Sequence, residues 1–149
     1  MKKIVLSAAV AAVMVSCSSS SSGKIDEMTN EMCGCFNKIN DSLPPESLKL
    51  FNDVATAANA GEAYMNGLKQ IPEAVLLKMN AALMMVAKPG TAVKTCLEEM
   101  DKKYKSIGGE KVEITRKMVD VLKKRKDSEC NLMLALMRIE LEKQEKGKK

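Results

Sequence analysis

Residues 24–40, KIDEMTNEMCGCFNKIN, combine a helical pattern with two closely spaced cysteines. Their apolar residues recur every three or four positions, which is the spacing of one face of an α-helix. These residues are Ile25, Met28, Met32, Cys35 or Phe36, and Ile39. Cys33 and Cys35 point to different flanks of such a helix, because residues two apart are rotated by about 200°. The stretch therefore predicts a first helix that can be cross-linked on two sides.

The rest of the chain repeats this spacing between residues that interrupt helices. The interruptions are Pro44-Pro45, Pro72, Pro89-Gly90 and Gly108-Gly109. The later helices are predicted at 45–59, 72–86, 93–104 and within 110–146, and residues 61–68 are less regular. No segment alternates apolar and polar residues as a half-buried strand does. The predicted fold class is all-α, a helical bundle of about five or six helices stapled by two disulfides.

Two segments carry more specific expectations. Residues 72–86 are the most apolar, because Leu77, Met84 and Met85 widen the face formed by their neighbours. A helix that is apolar on several sides is typically buried on several sides, so we expect it at the centre of the bundle. Residues 110–146 can form one helix or two, and Asp127-Ser128, which can cap a new helix, predict a bend or break there.

The amino terminus has the layout of a secretory signal. Lys2 and Lys3 precede an apolar run, residues 4–15, that stops at Ser16 and Cys17. As a helix, about 12 residues would span about 18 Å, which is short of the ~30 Å hydrocarbon core of a membrane. We therefore expect this segment to be removed rather than retained as a membrane span.

Residues 14–17, Met-Val-Ser-Cys, resemble the lipobox of bacterial lipoproteins. In that class the signal is cut before the cysteine, which is acylated with chains such as palmitate. The resemblance implies a signal peptide at 1–16, a lipidated Cys17 with a serine-rich tether at 17–23, and a helical domain at 24–149. It places the protein on a membrane of the bacterial cell envelope, and Ser18 resembles the residue type that permits sorting to the outer membrane. The alternative is ordinary cleavage near 16–20, which would release a soluble protein.

The other four cysteines, Cys33, Cys35, Cys96 and Cys130, are an even number, as expected in an oxidising compartment. Four cysteines allow three connectivities. A bridge from Cys33 to Cys35 would require the helix to unwind at Gly34. We therefore predict that each of the two bridges to a distant helix, in an order left open. This arrangement loosely resembles small cysteine-paired helical lipoproteins of the bacterial envelope, a resemblance that brings no known activity.

The composition argues against an enzyme. The chain has no histidine, which excludes histidine-based acid–base catalysis, histidine-dependent triads and histidine metal ligands. The acidic clusters Glu98-Glu99 and Glu140 with Glu142 lie among lysines, so we interpret them as solvated ion pairs. The lysine clusters at 123–126 and 143–149 are interpreted as solvated helix faces rather than a nucleic-acid site, because only four aromatic residues offer stacking surfaces. We expect no catalytic residues, cofactor or metal.

The sequence thus predicts a non-enzymatic, membrane-anchored envelope lipoprotein that acts as a binding or interaction module for an unknown protein partner. Two alternatives stay open. One is a Cu(I)-binding protein, because Met28, Met32, Cys33 and Cys35 offer soft sulfur ligands on one helix. The other is a thiol–disulfide exchange protein that uses a strained bridge between Cys33 and Cys35.

Overall fold

The computed structural model describes residues 23–125 and 127–146, and within these ranges it contains seven α-helices and no strand. The helices are α1 (23–40), α2 (Pro45–Thr56), α3 (Ala60–Leu68), α4 (Glu73–Met84), α5 (Ala92–Tyr104), α6 (Lys111–Lys123) and α7 (Asn131–Lys146). The all-α prediction is confirmed, with seven helices instead of five or six. The expected signal peptide at 1–16, Cys17 and the tether up to residue 22 lie outside the described residues.

The helix boundaries follow local chemistry. Pro44 precedes α2 and Pro72 precedes α4, in each case as the last non-helical residue. Asn59 begins α3 by accepting a hydrogen bond from the Glu62 amide at 3.0 Å, and Thr91 begins α5 by accepting one from the Lys94 amide at 3.3 Å. Such side-chain caps satisfy backbone donors that a helix start leaves unpaired. The signals at Asn59 and Thr91 explain why these helices begin where they do.

Two segments bring the number of helices to seven. α2 ends at Thr56, so residues 60–68 form a separate helix, α3, instead of an irregular stretch. Residues 110–146 form two helices, and the predicted break lies where expected, between Lys123 and Asn131. Asp127 accepts a hydrogen bond from the Glu129 amide at 3.2 Å within this break.

The buried residues come mainly from α1, α2 and α7: α1 buries six residues, and α2 and α7 bury five each. Phe51 and Val54 of α2 and Met133 and Ala135 of α7 are almost completely buried. α7 packs against α2, α3 and α6, and α2 also contacts α3 and α4. Within the described part of the chain, no helix has both the length and the apolarity needed to cross a membrane.

The prediction that residues 72–86 lie at the centre of the bundle is wrong. Only Met79 and Ala82 of α4 are buried. Leu77 is 65% exposed and Met84 is 66% exposed. α4 packs on α2 through one side, and its opposite side is exposed to solvent. Its broad apolar surface is therefore not covered on several sides, contrary to the prediction from the sequence.

Two disulfides tie α1 to distant parts of the chain. Cys33 pairs with Cys130, which immediately precedes α7, and Cys35 pairs with Cys96 of α5. The prediction of distant partners is confirmed, and the structure supplies the order that the sequence left open. The bridges join residues 97 and 61 positions apart. In the chain-entropy model, each such cross-link stabilises the fold by about 4 kcal/mol relative to the open chain.

Candidate interaction surface

Four exposed apolar residues form one face of α4: Ala74, Leu77, Ala81 and Met84. We call these four residues the α4 face. Their spacing of three, four and three places them within about 80° of one another around the helix axis, because each residue turns about 100°. The buried residues Met79 and Ala82 lie on the other side of the helix. α4 therefore has one side in the core and a second apolar side in solvent.

The α4 face alternates small and large side chains. Ala74 and Ala81 occupy one set of positions, and Leu77 and Met84 occupy the other, as at the a and d positions of a coiled-coil heptad. Leu77 and Met84 are separated by about 10 Å along the axis, at 1.5 Å per residue. Ala81 between them and Ala74 before Leu77 leave room of the size that a large side chain from a neighbouring helix fills.

Opposite charges mark the two ends of this face. Glu73 is exposed in the first turn of α4, where a carboxylate complements the partial positive charge of a helix start. Lys88 is exposed just beyond the last turn, and its amide still donates to the Met84 carbonyl at 3.1 Å. The α4 face is therefore negative at its beginning and positive at its end.

The end of α4 is held by the start of α5. The Thr91 hydroxyl lies 2.6 Å from the Met85 carbonyl oxygen and 2.9 Å from that of Lys88, so it can donate to the last carbonyls of the α4 segment. Gly90, with a φ of 79°, allows the tight turn that brings Thr91 back to them. This turn fixes where Met84 and Lys88 lie relative to the rest of the fold.

On the other side of the bundle, α7 clamps the turn between α2 and α3. The Arg138 guanidinium donates to the carbonyls of Ala55 at 2.7 Å and Ala57 at 2.6 Å, at the end of α2. Glu142, one turn later, accepts from the amides of Ala60 at 2.7 Å and Gly61 at 2.8 Å, at the start of α3. Each charge faces the helix end of opposite partial charge.

This clamp corrects the interpretation of Glu142 as a solvated ion pair. Its carboxylate is bound by backbone amides, whereas Glu140 is exposed and accepts a hydrogen bond from Gln144 at 2.6 Å. The glycine at position 61 eases this approach, because a Cβ there would lie 3.1 Å from the Glu142 carboxylate, which would have to shift by a few tenths of an ångström. Spacing along α7 could not reveal the interaction, because its partners are backbone groups more than 80 residues away in sequence.

The sulfur atoms on α1 do not form the arrangement that either alternative function requires. Cys33 and Cys35 are both buried and paired with other cysteines, so no thiolate remains on them for Cu(I) in the oxidised chain. The bridge between Cys33 and Cys35 that thiol exchange would use is replaced by the two long-range bridges. In residues 23–125 and 127–146, no three histidine, cysteine or acidic side chains are grouped as metal ligands.

A shallow groove of about 440 Å³ lies beside the Cys35–Cys96 bridge, between α1 and α5. Lys103 spans it, with its ammonium group paired to Glu27 at 3.0 Å and also to Glu31. The hydrogen bond from Lys103 lowers the pKa of Glu27, and hydrogen bonding, chiefly to Glu31, raises the pKa of Lys103 above its ordinary value. The Glu27 carboxylate is thus held ionised by Lys103, so it does not serve as a proton donor at neutral pH.

Comparisons with protein-family models, with curated proteins and with solved structures find no match to this chain. A functional assignment therefore depends on the sequence and on the part of the chain that the structure describes. Of these residues, the large hydrophobic side chains that are well exposed are Met65, Leu77 and Met84, two of which belong to the α4 face. The spacing of Ala74, Leu77, Ala81 and Met84 in the sequence is that of one helix face. Apolar residues on the buried side of α4 have the same three- and four-residue spacing, so the sequence alone does not separate the two faces.

Proposed function

We propose that this chain is a non-enzymatic protein of the bacterial cell envelope, anchored to a membrane by lipid on Cys17 and binding a protein partner through the α4 face. The exposure of Leu77 and Met84, at 65% and 66%, is the observation that carries the binding role. Large apolar side chains grouped on one exposed face commonly mark interaction sites, whereas single exposed ones are ordinary.

Two features support the proposed address. Two disulfides within one small helical domain are typical of an oxidising compartment such as the periplasm or the cell surface. Residues 14–17 resemble a lipobox, and the serines that follow would give a flexible tether. Two or more acyl chains on Cys17 would hold the protein stably on the membrane, whereas one chain would bind only marginally. The proposed location is the outer membrane, on the basis of Ser18.

The non-enzymatic role is supported by how the candidate acid–base groups are used. The chain has no histidine. Glu142 is bound to backbone amides, and Glu27 and Glu31 share Lys103. These carboxylates fasten helices together, so they are not free to act as a pair on a substrate.

Fatty-acid labelling tests the anchor. In growing cells, labelled palmitate should be incorporated into the full-length chain, which should fractionate with membranes. The Cys17→Ala variant should lose both the label and the membrane association. If this variant is labelled and fractionates as the original chain does, the proposed anchor is wrong.

Photo-cross-linking tests the binding role. A photoreactive amino acid at position 77 should give a specific adduct in intact cells. The matched control is position 65, because Met65 is 58% exposed and lies on α3 instead of the α4 face. Equal adducts at both positions, or none at position 77, would contradict a binding role for the α4 face.

A further inference from the structure

We propose that the partner of the α4 face is the α4 face of a second copy of this chain, packed antiparallel to form a symmetric pair. This inference rests on the proposed binding role of the α4 face and names its occupant. In a twofold-symmetric contact, a surface must be complementary to itself: if one residue contacts another, the reverse contact also occurs. The side-chain sizes and charges on α4 meet this requirement.

The sizes match in one antiparallel register. Antiparallel helices pair a positions with d positions, so Ala74 lies opposite Met84 of the second copy, and Leu77 lies opposite Ala81. By symmetry, the same two contacts occur in reverse. Every layer then places one alanine against one large side chain, which is how facing helices interdigitate without gaps.

Other arrangements leave this match incomplete. A parallel pair would place alanine against alanine and large side chain against large side chain, giving alternately loose and crowded layers. Shifting the antiparallel pair by one heptad would leave two of the four residues in each copy without an apolar partner. The alternation of sizes therefore selects both the direction and the register.

The end charges are compatible with this direction. In the antiparallel register, Glu73 at the start of one helix lies near Lys88 beyond the end of the other, and the pair occurs twice. In a parallel pair, Glu73 and the exposed Lys78 would occupy facing g and e positions, so the side-chain sizes, and not the charges, select the direction. Glu73 and Lys88 are both exposed, so each of their pairs adds only modestly to affinity.

The composition of this face favours a helix over a membrane surface as its occupant. Helices that lie in a membrane interface carry large apolar and aromatic residues on the buried side. The α4 face has no aromatic residue, half of it is alanine, and Glu73, Lys78 and Asn80 are exposed beside it. Small residues instead allow a second backbone to approach closely.

The contact is small. A helix of 12 residues is about 18 Å long, so the pair falls short of the roughly 800 Å² per partner that stable complexes bury. We therefore expect it to dissociate in dilute solution. Copies anchored in one membrane through Cys17 are held at a high effective concentration, and this would populate the pair.

Cysteine cross-linking tests the direction. Two differently tagged full-length variants, Ala74→Cys and Met84→Cys, are co-expressed, and membranes with intact native disulfides are treated with a short thiol-specific cross-linker. Mixed adducts between positions 74 and 84 should exceed each homotypic adduct by about fivefold, since two copies of residue 74 would lie about 15 Å apart along the axis. The unsubstituted chain controls for any contribution from Cys17.

Predominant homotypic adducts, random proportions of the three adducts, or adducts within one chain would overturn the antiparallel pair. A charge exchange adds a second measurement. Glu73→Lys should reduce the mixed adduct severalfold, and adding Lys88→Glu should restore it. Failure of the double variant to recover would also contradict the proposed pairing.

A third variant tests the face itself. Leu77→Lys should reduce the mixed adduct about tenfold, because a charge would be buried against an alanine. Met65→Lys makes the same change on α3 and should have no effect. Far-ultraviolet circular dichroism should show equal helix content in both, because both positions are exposed.

The photo-cross-linking results at position 77 test the self-pairing and the binding role of the α4 face separately. If a photoreactive residue at position 77 gives a specific adduct only with a different protein, the self-pairing is wrong and the binding role stands. If the adduct forms only with lipid, or if no adduct forms, both are wrong. An adduct between two copies that falls severalfold in Glu73→Lys supports both.

Discussion

α4 and α7 show that apolar composition and burial are different properties. Residues 72–86 are the most apolar part of the chain after the amino-terminal run, yet α4 buries two of its residues. α7 carries charged residues over its second half and buries five. α7 is placed by specific contacts: the Cys33–Cys130 bridge at its start and the bonds of Arg138 and Glu142 to α2 and α3. An apolar face indicates that a surface favours being covered, and it does not say what covers it.

The largest expected difference is between two methionines. Met133 of α7 is completely buried, whereas Met84 of α4 is 66% exposed. Met133→Ala should lower the free energy of unfolding by about 2–5 kcal/mol, because it removes buried surface and leaves a cavity. Met84→Ala should lower it by less than about 0.5 kcal/mol. Urea denaturation followed by circular dichroism measures both, and equal losses would show that α4 is covered within the single chain.

The second prediction concerns the α7 clamp. Glu142→Gln should lower the free energy of unfolding by about 1–3 kcal/mol, because one of two backbone amides would face the side-chain amino group instead of an acceptor. Glu140→Gln is the matched control. Because Glu140 is exposed, this change should lower the free energy of unfolding by less than about 0.5 kcal/mol. Thermal unfolding of the two variants distinguishes them. Similar melting temperatures would contradict a stabilising role for the clamp.

The third prediction compares two helical glycines. Gly67 of α3 lies against Leu50 of α2, and a Cβ at position 67 would overlap the Leu50 side chain. Gly67→Ala should therefore destabilise the fold by about 1–3 kcal/mol, although alanine favours helix more than glycine does. At Gly34 of α1 a Cβ meets nothing within 4 Å, so Gly34→Ala should stabilise by up to about 1 kcal/mol. Changes of the same sign in denaturant unfolding would refute this close approach.

The sequence predicted features that depend on neighbouring residues. The helices that begin near Pro45, Pro72 and Thr91 and the break near Asp127 follow from caps and interruptions a few residues long. The distant partners of Cys33 and Cys35 follow from the geometry of one helix. Local rules therefore sufficed for the fold class and for the long-range nature of both bridges.

The features that the sequence did not predict depend on tertiary contacts. Residues 61–68 look irregular in the sequence because Gly61 and Gly67 weaken a helical pattern, whereas in the fold each glycine lies against an approaching side chain, Glu142 or Leu50. The exposure of the α4 face does not follow from the sequence, because an apolar helix face can be covered by the same chain or left in solvent. Which side of α4 the fold covers is set by the position of α2, and no spacing within α4 contains that information.

The smallest expected effect concerns pH and the ion pairs between α1 and α5. The pKa of Glu27 is lowered in the folded chain by its hydrogen bond to Lys103, so the folded state favours the ionised carboxylate. The pair therefore stabilises the fold above the ordinary pKa of a glutamate, and this contribution is lost as the pH falls below about 4. At the alkaline end, the raised pKa of Lys103 keeps the pair intact until the pH exceeds the ordinary range of a lysine.

The variant Glu27→Gln isolates this effect. It should be slightly less stable than the original chain at pH 7, and this difference should shrink as the pH falls and Glu27 becomes protonated in the folded chain. Exposed ion pairs are screened by salt, so the difference at pH 7 should also shrink in 1 M sodium chloride, where the Debye length is about 3 Å. Asp101→Asn, an exposed change on α5 outside the Lys103 pairs, serves as the control. A stability difference for Glu27→Gln that does not shrink as the pH falls would mean that Glu27 acts through packing and not through its charge.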